Sequence, residues 1–267
     1  MNSVMIPSAT PTFLATGRGG SGTRLLSLIL QQLGFFLGNR LNTTQDSIEW
    51  VGLIYQMAAD SLRDPHGTAP AIWRDKVYAR SQAILRASSG FHNFNWGLKL
   101  PEVMLVLPEL SAALPDAKFL HLVRHPLDCC LRRTHKTSRM NNPIGKATLS
   151  AAYRELSQNR SPIDDPDHLR NAFSWCYQIE HLCHWTNNSD FEKNRLLEIR
   201  YEDLCDSTQR EADRIAAFLG QVSRPVTLEI DEARRRKWSD NDSRANEVWD
   251  ICGKVACQYG YEFKPHT

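Results

Sequence analysis

The residues with the clearest chemical potential lie between Thr12 and Leu26, where Gly17, Gly19, Gly20 and Gly22 separate an apolar run, Phe13-Leu14-Ala15, from an apolar helical pattern beginning near Thr23. A strand that turns through glycines into a helix directs backbone N–H groups and the positive end of the helix dipole toward one point. Such a turn binds anions, phosphate and sulfate above all. Gly17 and Gly22 have the separation of the two glycines in a nucleoside-triphosphate loop, but Thr23 and Arg24 stand where that loop has Lys and Ser or Thr. Without the Lys and the Mg²⁺-holding hydroxyl, triphosphate chemistry is disfavoured. A strand-to-helix turn with no ligand is the plainer alternative.

A second group of cations follows Phe119-Leu120-His121-Leu122-Val123, which reads as a buried strand entered from the turn Leu114 to Lys118. The strand stops at Arg124-His125-Pro126-Leu127-Asp128, with Pro126 suited to a first helical turn and Asp128 to its positive end. A metal-binding strand would end in a carboxylate; this one ends in a guanidinium, a fork for phosphate or sulfate. Arg132 lies eight residues on, about two helical turns, with Arg133 and Lys136 beside it. Arg133 and Lys136 read better as a solvated helix face.

With these motifs in this order, the chain resembles the sulfotransferases that use 3'-phosphoadenosine 5'-phosphosulfate (PAPS). The likeness runs from Thr12 to about Gly220 and includes Thr16–Arg24, Phe119–Arg132, the strand and turn Leu197-Glu198-Ile199-Arg200-Tyr201-Glu202-Asp203-Leu204, and the lysine strand Trp96-Gly97-Leu98-Lys99-Leu100-Pro101-Glu102. The resemblance implies that Arg18, Gly19, Gly20, Ser21, Gly22, Thr23 and Arg24 hold the 5'-phosphosulfate and that Arg124, helped by Arg132, grips the 3'-phosphate. It implies that Tyr201 meets the adenine and that a basic C-terminal stretch, Arg234 to Lys237 before Trp238, closes over the 3'-phosphate, with Lys237 as its candidate. Gly20 occupies a position where the family has Lys or Arg, and Arg132 one where it has Ser. Lys99 and Arg18 would stabilise the departing charge, and adenosine 3',5'-bisphosphate (PAP) would be the product, without a metal.

The acceptor group, a hydroxyl or an amine, needs a base. Glu102, His92 and Asp46 are available, and Glu102 is preferred because it follows Lys99 on the same strand end, where that cation favours its ionised form. A helix N-terminal carboxylate just after Pro101 is the structural alternative.

Composition bounds these readings. The chain has 267 residues, 42% of them hydrophobic, enough for one large core. A net charge of +2 does not suit a dedicated nucleic-acid binder. Met1 to Pro11 lack a charged, apolar leader pattern, and no apolar run approaches the roughly 20 residues of a membrane span, so a cytoplasmic location is expected. The seven cysteines follow no zinc spacing and read as buried thiols, and Cys183-His184 near His181 is a weak metal candidate.

Around the motifs, Asn39 to Phe94 reads as mostly helical, with Ile48, Val51, Ile54 and Tyr55 on one buried face and a second helix near 70–88. Ser138 to Arg170, punctuated by Pro143, Gly145, Pro162 and Pro166, reads as a mobile connection with one short helix near 148–157. Helices are expected at about 171–186 and 209–219. Strands alternating with helices predict a single α/β domain over 1–267, a parallel sheet flanked by helices in the P-loop-like manner, with ligands at the strands' C-terminal edge. Segments 39–94 and 138–170 would wall an acceptor pocket for a small molecule, lipid or carbohydrate. An atypical P-loop phosphotransferase or kinase and a noncatalytic nucleotide-binding module are the rival readings.

Overall fold

Four short runs of apolar sequence meet side by side as β1 (Phe13–Thr16), β2 (Gly97–Lys99), β3 (Lys118–Val123) and β4 (Leu196–Arg200). A computed structural model describes residues 8–63, 71–88, 95–132, 134–157, 159–188, 191, 193–230, 238–239 and 242–264. The strands form one parallel sheet in the order β2-β1-β3-β4, with Ala15 opposite both Lys99 and Leu120 and Val123 opposite Arg200. Continuous burial along β1 and β3 is what a parallel sheet covered on both faces requires.

The helices are, in chain order, α1 (Thr23–Gln32), α2 (Val51–Ser61), α3 (Ile72–Ala87), α4 (Leu107–Ala113), α5 (Pro126–Cys130), α6 (Pro143–Leu156), α7 (Asp167–Asn188), α8 (Tyr201–Asp206), α9 (Thr208–Phe218) and α10 (Arg244–Gln258). Alternation along the strands divides the core. Leu14, Phe119 and Val123 pack with Trp50, Trp96 and Trp175 on one face, while Phe13, Ala15, Leu120 and Leu122 pack with Leu26, Leu30, Leu204 and Ile215 on the other. Among the described residues no helix is long and apolar enough to cross a membrane.

Two segments differ from expectation. The positive cluster after β3 does not ride on one continuous helix, because α5 ends at Cys130. Its last carbonyls are taken by side chains from elsewhere: Asn171 Nδ2 donates to Cys130 O at 3.0 Å, and Arg18 Nη1 approaches Cys129 O at 3.5 Å. Segment 138–170 is also more ordered than its prolines suggest. Pro143 is the first residue of α6 rather than a breaker, Asn142 caps it by accepting from the N–H groups of Ile144 and Gly145, and Ile144, Leu149, Ala152 and Tyr153 are buried.

Candidate active site

The C-terminal ends of β1 and β3 open onto a cavity of about 700 Å³ lined by Gly19, Gly20, Gly22, Thr23 and Arg24 from the loop and α1, by Arg124 and Arg132 beyond β3, and by Glu102 and Tyr201. The glycines have steric reasons. Gly22, the N-cap of α1, has φ +91°, and a Cβ there would lie 2.3 Å from the Tyr201 ring; a Cβ on Gly19 would lie 2.1 Å from the His135 ring. Gly22 brings no side-chain oxygen, and no side chain caps α1. Thr23 and Arg24 at its first turn line the cavity, which places the positive end of the helix dipole at the cavity wall. Gly22→Ala is expected to lower stability by about 1–3 kcal/mol through backbone strain alone, with Tyr201 displaced as well. A urea midpoint equal to that of the parent would contradict this packing.

Arg124 is almost wholly buried at the end of β3. Its guanidinium lies 4.1 Å from the Tyr201 ring centroid, and Nη2 is 3.4 Å from Asp128 Oδ1 one helical turn on. The stack and the ion pair hold the fork in one orientation. Tyr201 begins α8 directly after β4, so its ring touches both Gly22 and Arg124. Burial pushes its hydroxyl up to about 12. Arg132 is half-buried on the same cavity, and burial together with the neighbouring Arg124 charge holds its guanidinium below its usual pKa. Two guanidiniums that disfavour each other are each stabilised by a shared anion.

The expected cations Arg18 and Lys99 are elsewhere. Arg18 is 0% exposed and does not line the cavity. Nη1 donates to Gly19 O at 2.7 Å, and Nη2 to Ser138 Oγ at 2.7 Å and Asn171 Oδ1 at 2.8 Å. The guanidinium thus braces the loop from behind rather than facing a ligand. Ser21 is buried with it, its N–H donating to Arg18 O and its hydroxyl 3.7 Å from Cys129 Sγ. Lys99 is likewise 0% exposed and off the cavity wall; its ammonium donates to Asp46 Oδ1 at 2.6 Å and Thr44 O at 2.8 Å. Burial lowers the Lys99 pKa, with Asp46 opposing that shift; burial would raise that of Asp46, but the Lys99 charge and hydrogen bonds hold it below the ordinary value.

Glu102 does line the cavity, 2% exposed, with Tyr55 Oη donating to Oε1 at 3.2 Å. Burial pushes its carboxyl above the usual range, opposed in part by Lys136. Sequence reasoning missed most of the segment after α5: Thr134, His135, Lys136 and Arg139 all line the cavity. They sit in irregular backbone and a short 3-10 turn (Lys136–Ser138), where no periodicity marks them. Lys237, Arg133 and His92 lie outside the described residues. Among the described residues, no group of three or more His, Cys, Asp or Glu is placed to hold a metal ion.

A family model described as "Sulfotransferase family" matches residues 11–223. Similar solved structures include the sulfotransferase domain from the curacin biosynthetic pathway, 16% identical with TM-score 0.54, the alignment covering 97% of this chain and 100% of that one. A sulfotransferase from Alicyclobacillus acidocaldarius is 12% identical with TM-score 0.51, covering 95% and 97% of the two chains. The sulfotransferase STF9 from Mycobacterium avium is 13% identical with TM-score 0.52, covering 97% and 79%. No curated protein matches the chain. At these identities the structures share the fold, a parallel sheet flanked by helices with a P-loop-like turn after the first strand. The family match spans the glycine loop, the Arg124 strand end and Tyr201, and by it the chain belongs to the sulfotransferase family.

Proposed function

We propose that this chain transfers a sulfuryl group from PAPS to a hydroxyl or amine on a small-molecule, lipid or carbohydrate acceptor, without a metal. The observation that carries the reading is the convergence of two anion sites on one cavity: the uncapped start of α1 behind the glycine loop, and the Arg124–Arg132 pair. A donor with a phosphosulfate at one end of a nucleoside and a phosphate at the other fits that pairing. Bound there, it would supply an electrophilic sulfur with PAP as the leaving group.

The chain's own groups would do the rest. Amides from Gly19 to Arg24 would hold the 5' end and Arg124 and Arg132 the 3'-phosphate, while the Tyr201 ring, fixed against Gly22 and Arg124, would offer a flat face to the base. Glu102 would take the acceptor proton, its carboxylate made more basic by burial. As in phosphoryl transfer, most of the rate would come from positioning and from charge aimed at the leaving oxygen. We read residues 1–267 as one catalytic domain. Thr44 and Asp46 from segment 39–94 and Arg139 from segment 138–170 reach the cavity, which supports those segments as its acceptor-side walls.

The test is calorimetric titration with PAP in EDTA, with ATP and Arg124→Ala alongside. Metal-independent binding is expected, weakened ~10–100-fold in the variant, the value of one or two charge-assisted hydrogen bonds, and not matched by ATP. Binding of ATP only with Mg²⁺ would favour a phosphotransferase, and no binding of either nucleotide by folded protein would overturn the reading. PAP binding with no donor turnover under any acceptor would indicate a noncatalytic module.

A further inference from the structure

On the loop side of the cavity Arg24 lines the wall, while the other cations expected there are turned away from it. Gly20 has no side chain, Arg18 is committed to Gly19, Ser138 and Asn171, and Lys99 is neutralised by Asp46 at 2.6 Å. The segment that follows α5 lies against that same stretch of loop. His135 packs its ring where a Gly19 side chain would be, and the next residue, Lys136, lines the cavity.

The anchoring of this segment is unusually thorough for an irregular stretch. His135 Nδ1 accepts from Thr137 N–H at 3.3 Å, Ser174 Oγ donates to Thr137 O at 3.2 Å, Gln178 Nε2 to Thr137 Oγ1 at 3.3 Å, and Arg18 Nη2 to Ser138 Oγ. Residues on both sides of Lys136 are therefore fixed, while Lys136 itself is exposed and lines the cavity. Lys136 is also the cation whose field opposes the effect of burial on Glu102. Lys136 and Glu102 line the same cavity, as does Arg24 on the exposed first turn of α1.

We propose that Lys136, on a segment that Arg18 ties to the glycine loop, is a catalytic residue that supplies the charge Arg18 and Lys99 do not bring to the cavity. The inference rests on the sulfuryl-transfer reading above. In the step it serves, the acceptor oxygen bonds to sulfur while the bond from sulfur to the 5'-phosphate oxygen breaks. The electron pair goes to that oxygen, where the Lys136 ammonium donates a hydrogen bond, and the acceptor proton goes to Glu102. The ammonium acts more strongly as charge grows on the leaving oxygen, which is the condition for accelerating the step.

The experiment is calorimetric titration of the full chain, as the parent and as Lys136→Met, Lys136→Arg and Arg24→Met, with PAP and with adenosine 3'-phosphate, which lacks the 5' group. Hydrolysis of PAPS by water to PAP, sulfate and a proton is followed at saturating donor. Lys136→Met is expected to weaken PAP ~10-fold or more, the scale of a hydrogen bond to a charged group, to leave adenosine 3'-phosphate within about twofold, and to slow hydrolysis more than it weakens PAP. Lys136→Arg should recover most of both. An unchanged PAP affinity and hydrolysis rate in Lys136→Met, an equal loss for both nucleotides, or a loss confined to Arg24→Met would overturn the assignment. Failure of the parent to bind PAP would overturn the sulfuryl-transfer reading itself, and this inference with it.

Discussion

Glu102→Gln is expected to lower turnover at saturating donor by more than ~100-fold, the usual worth of a positioned general base, while PAP affinity stays within about twofold. Glutamine keeps the volume and still accepts from Tyr55 Oη, whose bond to Oε1 is 3.2 Å, so the wall of the cavity is preserved and only the proton acceptor is lost. Asp46 is a poor substitute base because it is engaged by the Lys99 ammonium. The pH profile provides a separate check. Burial raises the Glu102 pKa, so the carboxylate that would accept the proton forms only as pH climbs above the ordinary carboxylate range. Turnover of the parent should rise with pH through that displaced ionisation, and the residual activity of the variant should lack that limb. Near-normal turnover, or an unchanged acid limb in the variant, would remove Glu102 from the chemistry.

Asp46→Asn should cost about 3–5 kcal/mol of folding stability, the range for breaking one side of a buried ion pair. Lys99 would be left 0% exposed with only neutral acceptors, Thr44 O and the amide oxygen at position 46, and no counter-charge. The Asp46 pKa is depressed in the fold, so its contribution is fully present above the unfolded carboxylate value of about 4 and is lost as pH falls through the lower folded value. Urea unfolding at neutral pH, with the slope unchanged, measures the cost; a loss below about 1 kcal/mol, the scale of an exposed pair, would mean that the pair is not buried in solution. Lys99→Met in the Asn background should recover much of the loss, because it removes the stranded charge.

What could be read from the sequence was what local chemistry dictates. The buried runs at β1 and β3, the glycine turn into α1, Pro126 opening α5 and the strand leading to Tyr201 each carry their signal within a few residues. The same locality explains what could not be read. Arg18 and Lys99 have the right charge beside the right motif, but their directions are set by Ser138, Asn171 and Asp46, partners that no nearby residue announces. Pro143 reads as a breaker until Asn142 is seen capping the helix it opens. Lys136 reads as a solvated charge because the helix that would have carried it outward ends early, its carbonyls taken by Asn171 and Arg18. Local sequence thus marks the residues that line the cavity more readily than those that decide which way a cation points.

The Arg18 brace also ties the loop to the order in which the chain can assemble. Its hydrogen bonds reach across 120 residues to Ser138 and 153 to Asn171, separations whose closure entropy must be met before the contacts return anything. The glycine turn is the most local of the motifs, yet its brace is complete only where α7 lies against α5. A nascent chain emerging as far as α6 would carry the glycine sequence without the site, so nucleotide binding would serve as a late marker of folding rather than a nucleus for it.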